Sequence, residues 1–145
     1  MTSMTSVVGG AEVVVCCGSG GVGKTTMAAV IGLEAARTGR RVVVVTIDPA
    51  RRLADALGLP DGLHSEPRRI QPAGAPSESA GELWAMMLDP QAMFDRVVRA
   101  HAGDPEQADR IVANRFYRNI AGALSGTQEY MASEALYELH GDPRF

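Results

Sequence analysis

Lysine is almost missing from this sequence: of 14 basic residues in a chain of 145, Lys24 alone is not arginine. An arginine preference of this kind need carry no function, so the informative point is where the lysine survives. Cysteine is confined to the adjacent pair Cys16 and Cys17, which excludes a disulfide framework and a Cys-x-x-Cys metal site. Both read as buried strand thiols in a reducing cytoplasm. No apolar run approaches the ~18 residues that span a bilayer. The opening Met-Thr-Ser-Met-Thr-Ser lacks the basic-then-apolar pattern of a secretory signal. An excess of positive charge is also lacking: the net charge is −3, which argues against a nucleic-acid partner. What is there is ordinary for a folded domain, with 46% hydrophobic and 21% charged residues. That rules out a disordered chain and leaves room for one core.

The order of elements predicts an α/β fold. Residues Glu12 to Cys17 form a β-branched run of the kind buried on both faces of a sheet. A helix is expected from Lys24 to about Arg37, ending at Gly39, and a second buried strand from Arg41 to Ile47. Strand, helix and strand make a βαβ unit with a parallel sheet flanked by helices. A short helix, Arg51 to Leu57, follows Asp48-Pro49-Ala50. Residues 58–81, dense in Gly, Pro and Ser, read as an exposed connection. Leu83 to Leu88 is a third strand candidate, and Asp89-Pro90 reads as an N-cap with proline at the first helical position. Residues 90–140 read as helical, with apolar stripes at Met93, Phe94, Val97 and Val98, at Ile111, Val112, Phe116, Ile120 and Leu124, and at Met131, Ala135 and Leu139. Ser125 and Gln128 suit a capping box before the last stripe.

The surviving lysine lies in Gly18-Ser19-Gly20-Gly21-Val22-Gly23-Lys24-Thr25, a full match to G-x-x-x-x-G-K-[ST] between a strand candidate and a helix. Glycines let backbone N–H groups turn inward around an anion. The helix that follows adds its unpaired N–H groups and dipole. A lysine on a flexible stem reaches β- and γ-phosphate oxygens, and a threonine hydroxyl ligates Mg²⁺. The candidate site is therefore Gly20, Gly21, Val22, Gly23, Lys24, Thr25 and Thr26, with ATP and Mg²⁺ as the ligands. Asp48 ends the second strand beside that loop, at the usual ligand crevice of an α/β sheet. It suits either a catalytic carboxylate or the cap of the short helix. His64, His101 and His140 are scattered with no ligand spacing.

Residues 20 to 26, Gly-Gly-Val-Gly-Lys-Thr-Thr, resemble the deviant Walker A group of ATPases. Asp48-Pro49-Ala50-Arg51-Arg52-Leu53-Ala54-Asp55 is similar to the Asp-Pro-Ala-His-Ser-Leu-x-Asp switch I segment of the arsenite-pump and guided-entry ATPases. Leu124-Ser125-Gly126-Thr127-Gln128-Glu129 is similar to their Pro-Gly-x-x-Glu segment. The resemblance implies ATP bound between two subunits or half-repeats, so that a homo- or heterodimer with a related ATPase subunit is expected. A membrane protein or hydrophobic client is the implied third party, reached from the cytoplasm at the membrane surface. It also implies that Lys24 and Asp48 act in catalysis, with Asp48 orienting or deprotonating the attacking water.

Two positions depart from that pattern. The family's signature lysine, second in Gly-Lys-Gly-Gly, is Ser19, and its switch I histidine is Arg51. A hydroxyl supplies no positive charge to a developing transition state. The resemblance further implies a switch II strand after the helices. The chain ends at Phe145 where that strand is expected, so it reads as the N-terminal portion, residues 1–145, of a longer ATPase domain. Three functions stay open at this point: a dimerising ATPase, a nucleotide-binding regulatory subunit with weak or no hydrolysis, and a small-molecule kinase. The third would need an arginine-rich lid that Arg51-Arg52 alone does not specify.

Overall fold

The computed structural model describes residues 9–47, 51–71, 81–123 and 126–145. They fall into two units. One runs to Met87 and takes in Arg144 and Phe145, and the other extends from Leu88 to Pro143.

The first unit is built from α1 (Lys24–Arg37), β1 (Arg41–Thr46), α2 (Arg52–Ala56), β2 (Arg68–Ile70) and β3 (Glu82–Met87). The sheet order is β1-β3-β2. β1 and β3 run parallel, with Arg41 opposite Glu82 and Thr46 opposite Met87. β2 is antiparallel to β3, with Ile70 opposite Leu83. This is the expected α/β class, a small mixed sheet flanked by helices. The antiparallel strand falls inside the Gly/Pro-rich stretch read as an exposed connection, where Leu63 and Ile70 are in fact buried.

The helix packs on the sheet because one of its faces carries only small residues: Ala29, Gly32, Ala35 and Ala36 are all buried. A methyl group on Gly32 would overlap Cγ2 of Val44 and press on Cδ1 of Leu83. Val44, Leu83 and Ala85 from the strands, Leu53 and Ala54 from α2, and Leu63 and Ile70 complete this core. At the turn out of α1, the Gly81 amide donates to the Ala36 carbonyl at 2.8 Å and the Glu82 amide to the Arg40 carbonyl at 2.9 Å. These bonds tie the start of β3 to the end of the helix. On β3, Trp84 meets Phe145 edge to face at 5.6 Å and donates its indole N–H to Glu82 at 3.1 Å.

The expected strand from Glu12 to Cys17 is not formed. These residues carry no strand assignment, and Val13, Val14 and Val15 are 46%, 42% and 72% exposed. A β-branched run becomes a strand only when a neighbour supplies the other half of the ladder. No described strand lies alongside this one. For the same reason the thiols are not buried: Cys16 is half-buried and Cys17 exposed.

The second unit is helical, with α3 (Pro90–His101), α4 (Pro105–Ala113), α5 (Arg115–Ala123) and α6 (Thr127–His140). Asp89 caps α3, its carboxylate accepting from the amides of Gln91 and Ala92, and Asp104 caps α4 through the amide of Gln107. Both are followed by proline at the first helical position, where its missing N–H costs nothing. Met93, Ala108, Ala121, Met131 and Ala135 are buried. The Tyr117 hydroxyl donates to Asp95 at 2.7 Å, and its ring stacks on Phe94. Partial burial, and then the bond to the Asp95 carboxylate, hold this phenol well above its ordinary pKa. Among the described residues no helix is long and apolar enough to cross a membrane.

The stripe expected from Ile111 to Leu124 does not run through. Asn114 leaves helical geometry, with ψ 125, and its side chain accepts from the Phe116 amide at 2.8 Å to start a new helix. Such local bonding is the usual competitor of a continuing helix. The phase of the stripe is lost across the break, and Phe116 is 72% exposed. The cap of α6 is Gly126 at φ 83. Ser125 and Leu124 lie outside the described residues.

Helix propensity alone favours alanine over glycine by about 1 kcal/mol, yet overpacking against a rigid β-branched neighbour costs about 1–3 kcal/mol. Gly32→Ala should therefore lower the unfolding midpoint in a denaturant titration. A raised midpoint would show that Val44 yields and that the close seating of α1 is not required.

Candidate functional site

The phosphate-loop motif folds as one local structure. Gly18, Gly21 and Gly23 have φ values of 152°, 78° and 84°, and a side chain at 21 or 23 would meet the left-handed penalty of roughly 1–2 kcal/mol. Gly23 is the N-cap of α1, and no side chain caps the helix. The Met27 amide closes the first helical bond to the Gly23 carbonyl at 2.9 Å. The preceding first-turn N–H groups are donors without a side-chain acceptor, and no acidic residue sits in that turn. Unpaired N–H groups and the positive end of the helix dipole make an anion site.

Lys24 begins α1, and its ammonium donates to the Ser19 carbonyl at 2.7 Å. The loop thus supplies an internal acceptor for the only lysine. Gly20, Gly21, Val22, Gly23 and Thr26 are exposed, while Lys24 and Thr25 are half-buried. Residues 18 to 26 therefore present backbone amides, one ammonium and the hydroxyls of Thr25 and Thr26 at one helix end. That donor set suits a polyphosphate and its Mg²⁺. Asp48 lies outside the described residues, together with Pro49 and Ala50.

A cavity of about 220 Å³ opens elsewhere in the first unit, lined by Thr46, Arg51, Leu53, Ala54, Asp61, Gly62, Leu63 and Met87. No residue of the phosphate loop lines it. Thr46 and Met87 end the parallel strands β1 and β3, so the cavity sits at the carboxyl edge of the sheet, where α/β proteins place ligands.

Arg51, on its wall, has a backbone torsion and a contact that the sequence does not announce. Among the described residues it alone, glycines aside, has a positive φ, at 57°. Its guanidinium donates to the Pro60 carbonyl at 2.6 Å. The only hint in the sequence is the glycine-rich turn Gly58 to Gly62, which offers bare backbone for a long side chain to rest on. His101 and His140 end α3 and α6. Among the described residues no cluster of His, Cys, Asp or Glu could hold a metal ion.

A glycine-rich loop opening a helix, followed by parallel strands, defines an α/β protein of the phosphate-loop type. The profile of the anion-transporting ATPases matches residues 11–144, and the chain belongs to that family. It is 34% identical to "Putative arsenical pump-driving ATPase 1" of Aquifex aeolicus over 85 residues, covering 59% of this chain and 20% of that protein. Against the ATPase get3 of Aspergillus terreus the identity is 29%, covering 79% of this chain and 32% of that protein. Protein Rv2184c of Mycobacterium tuberculosis is 35% identical, with 84% of this chain and 30% of that protein covered. The chain thus spans between a fifth and a third of the length of these relatives.

Proposed function

We propose that this chain carries the nucleotide-binding part of an ATPase that binds ATP with Mg²⁺ and hydrolyses it while paired with a second, related subunit. The observation that carries the reading is the uncapped N-terminus of α1, with Gly23 at φ 84° and Lys24 at its first position. Membership of the anion-transporting ATPases supports it.

In this reading the amides of Gly20, Gly21, Val22 and Gly23 hold the β-phosphate. Lys24 leaves the Ser19 carbonyl for the β- and γ-phosphate oxygens. Thr25 ligates Mg²⁺, and Thr26 adds a hydroxyl to the phosphates. Asp48 positions the attacking water and draws its proton. Ser19 brings no charge to the partner's phosphates, so a full site takes its second cation from a paralogous subunit or half-repeat that has the lysine. The homodimer is then the weaker of the two assemblies. The pump-driving name of the Aquifex relative extends the reading to a membrane protein or hydrophobic client served from the cytoplasm.

A regulatory subunit that binds nucleotide with little hydrolysis is the second reading. The observation in its favour is the same serine, whose carbonyl holds Lys24 and whose side chain is neutral.

Lys24→Ala should abolish ATP binding measured by calorimetry on the full-length protein; unchanged affinity would sink the phosphate-loop assignment. Asp48→Asn should lower turnover by about 10²-fold or more, the scale of a lost catalytic base, with ATP affinity nearly unchanged. Equal losses in both would reduce Asp48 to a helix cap. Introducing the missing charge by Ser19→Lys should raise homodimer turnover at least about tenfold. A homodimer already fully active with Ser19 would remove the need for a second kind of subunit.

A further inference from the structure

The cavity at the carboxyl edge of β1 and β3 is divided by chemistry. Part of its lining is apolar and buried: Leu53, Ala54 and Leu63. Met87 adds a half-buried thioether from the end of β3. The exposed part carries two charges of opposite sign, Arg51 and Asp61. A volume of about 220 Å³ exceeds the roughly 150 Å³ at which a cavity lined by aliphatic and aromatic side chains admits benzene. It therefore has room for a branched aliphatic chain together with a small polar head.

Neither charge at the rim is fully paired. The Arg51 guanidinium donates to the Pro60 carbonyl at 2.6 Å, and among the described residues no carboxylate forms an ion pair with it. A guanidinium has five N–H donors in a planar fork that matches a carboxylate, so most of its capacity remains. Asp61 meets Arg68 at 4.0 Å, an exposed contact that holds a carboxylate loosely. Although Arg51 and Asp61 line one cavity, they do not neutralise each other.

The cation is also held in place. Arg51 has a left-handed φ of 57°, which is costly for a residue with a long side chain. Its guanidinium lies over the bare backbone of Gly62, where a Cβ would stand 3.5 Å from Cζ and Nη2. Strained backbone of this kind clusters at ligand sites, and a donor fixed beforehand loses little freedom on binding.

Three chemical demands follow. A carboxylate answers the fork of Arg51, an ammonium answers Asp61, and an aliphatic body answers Leu53, Leu63 and Met87. A phosphate meets only the first demand and sets its charge against Asp61, and a juxtaposition of like charges is unfavourable. A simple carboxylic acid leaves Asp61 unanswered in the same way. We propose that this cavity binds a free α-amino acid with an aliphatic side chain of leucine or methionine size, its carboxylate on Arg51, its ammonium on Asp61 and its side chain against Leu53, Leu63 and Met87. A few polar groups above an apolar lining are the usual build of a small-molecule site. The site goes beyond the nucleotide reading and does not rest on it, since no residue of the phosphate loop lines the cavity.

The test is calorimetry on the full-length protein with L-leucine and with two analogues that each lack one charge. Isocaproate has no ammonium and isoamylamine has no carboxylate. L-Leucine should bind saturably, and each analogue about tenfold more weakly, the scale of one lost charged hydrogen bond. Arg51→Gln and Asp61→Asn should each weaken L-leucine about tenfold. Their effects on the analogues should cross. Asp61→Asn leaves isocaproate binding intact or tighter while weakening isoamylamine, and Arg51→Gln does the reverse. That crossing separates a lost contact from a misfolded variant, which would lose all three ligands.

No saturable binding of L-leucine up to about 10 mM, far above a millimolar dissociation constant, would overturn the proposal. Equal affinity for L-leucine and isocaproate, or L-leucine affinity unchanged in both variants, would overturn it as well. Loss of L-leucine binding in Lys24→Ala would move the amino acid to the phosphate loop and remove this cavity as its site.

Discussion

The first unit depends on how closely α1 lies on its sheet. Small residues at 29, 32, 35 and 36 bring the helix backbone against Val44 and Leu83, and the approach is closest at Gly32. Interior packing at this density tolerates little change in volume. The consequence reaches the functional end because α1 is a rigid rod whose first residue is Lys24. Seating the rod on β1 and β3 fixes where its N-terminal amides and ammonium stand relative to the strands. A looser helix would leave the phosphate loop intact in sequence but unplaced against the carboxyl edge of the sheet.

At that end the electrostatics are one-sided. The helix start has donors in excess and no acidic residue in its first turn. The nearest compensation for Lys24 is a neutral carbonyl, that of Ser19. A carbonyl is a weaker partner for an ammonium than a phosphate oxygen, since hydrogen bonds between two ionised groups are the stronger kind. Under the proposed function, exchange of the carbonyl for a phosphate oxygen would therefore be favourable. The same serine leaves the loop one positive charge short of the resembling pattern. Under that proposed function, the amides and Lys24 would hold the phosphates, and a second cation for turnover would come from outside this loop.

Strain is placed with similar economy. The left-handed φ values in the loop fall on glycine, where they cost little, whereas the one at Arg51 falls on a residue that resists it. The difference marks Arg51 as held by its surroundings. Its guanidinium rests on a turn whose own glycines, Gly58 and Gly62, are also left-handed. The turn belongs to the stretch that composition marks as a plain connection.

The residues determine by themselves whatever is short in range. Gly20 to Thr26 state the phosphate loop, the alanine-rich run states the helix after it, and the Asp-Pro pair at 89 states a helix start. Each is a matter of dihedral preference and of hydrogen bonds within four residues. The α/β class follows from the same signals in order. Tertiary structure alone decided which apolar runs would pair. The valines at 42 to 45 became a buried strand because β3 lies beside them, whereas the equally β-branched run at 13 to 15 stays exposed. It alone recruited residues 68 to 70 as an antiparallel strand and turned Arg51 left-handed. A ladder needs a partner from far along the chain, and a strained torsion needs contacts to hold it; neither is encoded in the few residues that carry it.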